Sequence, residues 1–240
     1  MELNIYVTAL IFYMMIIDRI DYYADRLGFI PPSFRLNEIL KDYKVIQPSI
    51  FPCVVDQRGV IYDINSQGLV DVNNTYLRID TSDLRSTDIV FDVGSHIGEF
   101  GIMASKSAKH VYAFEPLTHD WVSRNADLNG RENITVIPCG IGAIGEQDIK
   151  YFSKMKRVSM RPLSVFVKAY GCDFLNSNCE GGEWTYTIDD LIGIRRIEIE
   201  FHLFSKNKRL ELIDEIKKFF NVVTEQKNQV IELHGWNHNV

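Results

Sequence analysis

Val90-Phe91-Asp92-Val93-Gly94-Ser95-His96-Ile97-Gly98 is the stretch that decides the fold. An apolar run of strand length stops at a glycine, and helix-compatible text resumes at a second glycine four residues later. Gly94 allows a sharp turn where a Cβ would clash, and Gly98 lets the start of the helix come close to a ligand or to the strand. About 20 residues further on, Glu115 closes the next strand-like run, HVYAFE, and Pro116 ends it. In a parallel sheet these two strand ends lie side by side, so a carboxylate there can accept both hydroxyls of a ribose. The dinucleotide fingerprint is not matched, because His96 stands where it has its middle glycine.

Outward from this stretch, strand-like and helical text alternates: IVFDV, a helix to about 107, HVYAFE, a helix to about 128, then ITVIP. This predicts an α/β fold with a parallel sheet covered on both faces. Downstream, 164–169 reads as a short helix, 172–177 and 195–202 as strands, 206–220 as a surface helix, and 221–224 with 229–233 as a closing antiparallel hairpin. Seven strands result, counted from IVFDV. Upstream, 43–87 is a β-hairpin preface with β-type runs at 60–64, 69–72 and 76–79. Residues 1–42 are expected to form an N-terminal helical extension, and 43–240 the main domain.

Composition narrows the classes. At 46% hydrophobic and 24% charged the chain is an ordinary globular one. Its four cysteines form no CxxC pair, which argues for reduced thiols, a cytoplasmic setting and no structural metal. A formal net charge of −6 supplies no general field for phosphate backbones, so nucleic acid is not expected as a partner. The apolar run at 5–17 is short for a membrane span and lacks the basic leader and cleavage site of a signal peptide. Two readings stay open for it: a helix packed on the domain or a partner, or a peripheral membrane contact. The sequons at Asn73 and Asn133 read as chance matches. Oligomeric state is not legible.

Asp-Val-Gly-Ser-His-Ile-Gly-Glu at 92–99, Val-Tyr-Ala-Phe-Glu-Pro at 111–116, Asn-Ala-Asp-Leu-Asn at 125–129, the run from Cys172 to Trp184 and IEIEFH at 197–202 together resemble the FkbM family of S-adenosylmethionine-dependent methyltransferases. The resemblance implies a Rossmann-like class I methyltransferase fold, with a seven-stranded, mostly parallel sheet and a terminal antiparallel hairpin. It also implies S-adenosyl-L-methionine as cofactor and a hydroxyl of a small molecule, sugar or glycan as methyl acceptor. On this reading Asp92, Gly94, Ser95 and Gly98 line the methionine side of the cofactor, with His96 in the same turn. Glu115 holds the ribose, Pro116 borders the pocket, and Cys139, Gly140 and Ile141 border the adenine.

The chain departs from the family pattern at two positions: Asn176 stands for its usual lysine and Asn178 for its aspartate. An asparagine can orient a group but cannot act as a base. The catalytic candidates are therefore Glu180, Asn178 and His202, and the alternative is an impaired relative that serves as a binding or scaffold module. Glu198, Glu200 and His202 share one face of a buried strand, which calls for pairing with Arg195, Arg196 or lysine side chains, or for a divalent metal shared by Glu180, Glu200 and His202. Trp121, Trp184, Trp236 and Tyr186 are expected in core packing, with stacking on a planar substrate as the alternative. The basic run Lys154–Arg161 is either a solvated face or a receiver of an acidic substrate.

Overall fold

The computed structural model describes residues 44–46, 53–56, 58–63, 79, 81–151 and 154–239. The expected N-terminal helix with the apolar run at 5–17, the β-type run at 69–72 and all but the last residue of the run at 76–79 lie outside the described residues. A small antiparallel sheet comes first, from β1 (Lys44–Ile46), β2 (Cys53–Val55) and β3 (Ile61–Asp63).

The main body then alternates as expected: β4 (Ile89–Val93), α1 (Glu99–Ala104), β5 (His110–Phe114), α2 (His119–Leu128) and β6 (Ile134–Ile137). A short strand β7 (Gly140–Ile141) and a long hairpin of β8 (Gly145–Tyr151) and β9 (Lys154–Arg161) follow, then α3 (Leu163–Tyr170) and β10 (Phe174–Ser177). After a 3-10 turn at Gly182–Thr185 come α4 (Ile188–Leu191), β11 (Arg196–His202), α5 (Glu211–Ile216), β12 (Phe220–Lys227) and β13 (Val230–Asn237).

Seven of these strands form one sheet in the order β6-β5-β4-β10-β11-β13-β12, parallel except for β13, which runs against both of its neighbours. This is the α/β architecture of the class I methyltransferase fold, with its terminal antiparallel hairpin. The order reverses between β4 and β10, so the carboxyl ends of these strands flank the crevice where open α/β sheets take ligands.

Central strands read as nearly continuous apolar runs because both faces are covered. One face packs Phe91, Phe114, Leu175, Ile197 and Phe201 against Trp184, Leu191, Leu212 and Ile216. The other buries Val90, Val111 and Phe174 under Phe100 and Ala104 of α1. The asparagines of the NADLN run tie the preface to this body. Asn125 Oδ1 accepts from Asp63 N at 3.0 Å, while Asn129 accepts from Ile61 N at 2.9 Å and donates to Ile61 O at 2.6 Å.

Two expectations are corrected. The helix expected over 206–220 is regular only over α5, because the chain needs turns at both ends to reach β12 at Phe220; Leu212, Ile213 and Ile216 are its buried face, while Leu210 is exposed. The basic run 154–161 is a strand, and with β8 and β7 it builds a three-stranded sheet outside the main one. Its alternation was masked because most of β8 is exposed and carries polar residues on both faces.

Candidate active site

A cavity of about 540 Å³ opens at the carboxyl ends of the strands, in the size range of small-molecule sites. Gly94 and His96 from the turn after β4 line it, with Phe114, Glu115, Pro116, Leu117 and Thr118 from the end of β5. Gly140 and Ile141 of β7, Asn178, Cys179 and Glu180 after β10, and Ile149, Lys150, Tyr151 and Met160 of the β8–β9 hairpin complete the wall.

The turn after β4 is held by contacts within the chain. Gly94 has φ +78, and a Cβ there would sit 1.8 Å from the Asn178 carbonyl oxygen, so the glycine is required by the loop after β10. Gly94 N donates to Phe114 O at 2.9 Å. Glu115, almost fully buried, accepts three backbone N–H groups: His96 at 3.0 Å, Leu117 at 2.7 Å and Thr118 at 3.1 Å. Its two oxygens offer about four acceptor sites, so the carboxylate is aimed by the backbone and keeps capacity for a further donor. The Thr118 hydroxyl donates to His96 O, which closes the loop between the two strand ends.

His96 adopts φ +55, a left-handed conformation that costs a non-glycine residue energy, and its Nδ1 lies 2.9 Å from the fully buried Glu99 Oε1. Glu180 also has φ +56. Among the described residues only these two and Asn228, in the β12–β13 turn, are non-glycines of this kind. Two of the three therefore border the cavity.

Of the residues singled out in the sequence, Gly94, His96, Glu115, Pro116, Gly140, Ile141, Asn178 and Glu180 are brought together in the wall. Asp92, Ser95, Gly98, Cys139 and His202 are not. Asp92 is fully buried behind the turn, accepting from Asn176 Nδ2 at 2.8 Å and Gly101 N at 3.0 Å. Burial pushes its carboxyl up to about 7, against those two hydrogen bonds and with the negative charges of Glu99 and Glu115 adding to the rise. Ser95 turns its hydroxyl inward to Asp92 O at 2.8 Å. Gly98 faces the side chains of Ile102 and Val122, so what it makes room for is helix packing. Cys139 is buried beside the wall, and burial raises its thiol to about 11.

His202 stands behind Glu180, with Nε2 3.7 Å from Glu180 Oε2 and Nδ1 3.1 Å from Glu183 Oε1. Trp184 and Tyr186 are buried and Trp236 packs under Arg196, which leaves those aromatics in packing roles. Glu198 pairs with Arg196 and His234, while Arg195 pairs with Asp83 and Asp88. Among the described residues no group of His, Cys, Asp and Glu has a metal-holding geometry, and no helix is long and apolar enough to cross a membrane.

The hairpin wall went unread in the sequence, since Ile149, Tyr151 and Met160 reach the cavity only through a strand pairing that local text does not encode. Glu183 also carries more than its sequence position signalled.

No family model matches the chain. A curated relative, an uncharacterized RNA methyltransferase of Streptococcus agalactiae, is 37% identical over 87 residues, which cover 33% of this chain and 19% of that protein. The chain thus spans about one-fifth of the length of the curated relatives it matches. Among solved structures, the FkbM methyltransferase of Methylobacillus flagellatus aligns with 16% identity over 69% of this chain and 48% of its own, with a TM-score of 0.49. A putative methyltransferase of Streptococcus mutans, solved with S-adenosylhomocysteine, aligns with 14% identity over 63% and 90% of the two chains, with a TM-score of 0.42.

The naming of the first relative overturns the exclusion of nucleic acid that net charge had implied. A summed charge of −6 says nothing about where cations stand, and Lys150, Lys156, Arg157 and Arg161 all lie on the β8–β9 hairpin.

Proposed function

We propose that the chain is a methyltransferase that takes S-adenosyl-L-methionine into the 540 Å³ cavity and transfers its methyl group to a hydroxyl acceptor. The observation that carries this reading is the pre-aimed Glu115 carboxylate at the tip of β5, beside the glycine turn after β4. The residues fit such a cofactor: a fixed acceptor for ribose hydroxyls at one point and apolar walls from Leu117, Ile141, Ile149 and Met160 for a purine.

When bound, the cofactor supplies a methyl carbon that leaves its sulfonium sulfur with the bonding pair staying on sulfur, as the acceptor oxygen bonds to carbon. The chain's part is to hold the acceptor in line with that carbon and to receive the hydroxyl proton. Glu180 is the wall carboxylate on the β10 side of the cavity and takes that proton; Asn178, beside it, orients the acceptor as a hydrogen-bonding neutral group.

For the acceptor, a hydroxyl of a small molecule, sugar or glycan is one class and RNA is the second. RNA is favoured by the name of the Streptococcus agalactiae relative and by the cations of the β8–β9 hairpin, of which Lys150 lines the cavity. Calorimetric titration with S-adenosylhomocysteine tests the cofactor half. Binding that Glu115→Gln weakens by roughly tenfold or more, the worth of about one to two hydrogen bonds to a charged group, supports it. Absence of binding by folded protein removes it. Labelled-methyl transfer onto a sugar panel and onto RNA then separates the acceptor classes, and binding without transfer onto either supports the scaffold reading.

A further inference from the structure

We propose that His202 is a buried imidazolium held by Glu183, and that it positions the Glu180 carboxylate at the cavity wall. What Glu180 then does rests on the methyltransferase reading above; the charge state of His202 does not.

The geometry comes from three segments. β11 ends in His202, whose side chain is 6% exposed; the 3-10 turn carries Glu183, which is fully buried; the loop after β10 carries Glu180, whose side chain is 75% exposed. Each imidazole nitrogen faces a carboxylate, at 3.1 Å on the Glu183 side and 3.7 Å on the Glu180 side. A neutral imidazole has one donor and one acceptor nitrogen, so one lone pair would point at an anionic oxygen; the cation presents an N–H to each, hydrogen-bonding Glu183 and lying at ion-pair distance from Glu180. Glu183 is in turn fixed as an anion. It accepts from His202 N at 2.7 Å, Gly181 N at 2.8 Å and Cys179 Sγ at 3.4 Å. Burial alone would raise the Glu183 carboxyl, but its hydrogen bonds and charge interaction with His202 outweigh this and hold it low. Burial would likewise lower the imidazole, and Glu183, then Glu180 and Glu200, more than reverse it.

The backbone supports the same arrangement. Trp184 Nε1 donates to His202 O at 2.8 Å, which clamps the strand end, and Glu180 and Gly181 are consecutive left-handed residues at φ +56 and +110. Glu180 is thus presented to the cavity by a backbone held in a costly conformation. The titratable groups facing His202 are Glu183 from the turn, Glu180 from the loop and Glu200 from its own strand; β13 places the apolar Val230 opposite it, and the ring of Phe204 packs alongside. With both ring nitrogens protonated and each N–H facing a carboxylate, the imidazolium has no lone pair with which to act as a base. The proton released by an acceptor hydroxyl goes to Glu180 instead, and His202 and Glu183 act as positioning residues.

The test is an NMR titration of ¹⁵N-histidine-labelled full chain, with His202 assigned by its loss in His202→Gln. The expected result is a His202 midpoint above the ordinary value near 6.5, and one in Glu183→Gln lower by about one pH unit or more, a tenfold loss of proton affinity. A His202 midpoint at or below the ordinary value, or one unmoved by Glu183→Gln, overturns the proposal. If that variant fails to fold, Glu180→Gln, at an exposed side chain, must lower the midpoint by a smaller amount; no change there also overturns it. In the transfer assay, His202→Gln should lower kcat by about tenfold or more with S-adenosylhomocysteine affinity unchanged, and Glu183→Gln should move the alkaline limb of the kcat profile to lower pH. Full kcat in His202→Gln at every pH removes the positioning role. An NMR result as expected, in a protein that transfers to no acceptor, leaves the imidazolium standing and removes the methyltransferase reading.

Discussion

Asn176 Nδ2 donates to Asp92 Oδ1 at 2.8 Å across the junction of β10 and β4, in a buried site where, among the described residues, no cation pairs with the carboxylate. This is the position at which the resemblance leads one to expect a lysine, and a neutral amide leaves Asp92 with a carboxyl raised to about 7. A folded-state value above the unfolded one means that the folded form prefers the proton. The stability this provides is complete below the unfolded value near 4 and is lost as pH rises to about 7. The loss is of the order of 4 kcal/mol for a shift of this size. Asp92→Asn, which keeps an acceptor for Gly101 N and a partner for a flipped Asn176, is expected to raise the melting temperature above pH about 7 and to flatten the pH dependence between about 4 and 7. Melting curves across that range check it.

Gly94→Ala is expected to be severe. The new methyl group would lie 1.8 Å from the Asn178 carbonyl oxygen, and φ +78 carries its own penalty of about 1 kcal/mol for an L side chain. Because the obstacle is backbone, relief requires moving the loop that carries Asn178 and Glu180. Denaturant unfolding should report a loss of at least about 2 kcal/mol, and calorimetry should show weakened S-adenosylhomocysteine binding.

The hairpin cations differ in how far they are already engaged. Arg157 is used by Asp148 and Glu146, whereas Lys156 reaches the Leu117 carbonyl at 3.2 Å and the Tyr151 ring at 5.2 Å, and Lys150 lines the cavity. If RNA is the acceptor, Lys150→Ala with Lys156→Ala should reduce the slope of log affinity against log salt by about two. Filter binding at several salt concentrations measures this, and an unchanged slope points to an acceptor without phosphates.

All four cysteines are free thiols, and burial raises each of them: Cys53, Cys139 to about 11, and Cys172 and Cys179 well above the ordinary value, Asp63, Asp173 and Glu183 adding to the rise at Cys53, Cys172 and Cys179. Thiolate is the reactive form, so the native protein should react slowly with a disulfide reagent at pH about 8 and the denatured protein should release four thiols promptly. Cys179, although in the cavity wall, is expected to be as slow as the rest. Fast reaction of one thiol in the folded chain would contradict the burial seen here.

The sequence by itself determined the sheet and the turn. IVFDV and HVYAFE read as buried strands because both faces are covered, so apolar text is unbroken, and Gly94 with Glu115 marked two adjacent strand ends because a parallel βαβ unit fixes their spacing. It also picked out Asn178 and Glu180, since a loop after a parallel strand must open on the same edge. Only the tertiary structure decided which polar residues reach the cavity. Asp92 and His202 lie within two strand positions or one side chain of the wall, yet hydrogen bonds with Asn176 and Glu183 respectively, each distant in sequence, turn them away from it. The β8–β9 hairpin was likewise beyond local reading, because its strands are half-solvated and its contact with Gly140 and Tyr151's place in the wall depend on pairing across the chain. Periodicity encodes what a segment buries; which partner meets it, and hence which charge is held where, is a property of long-range contacts that no short stretch contains.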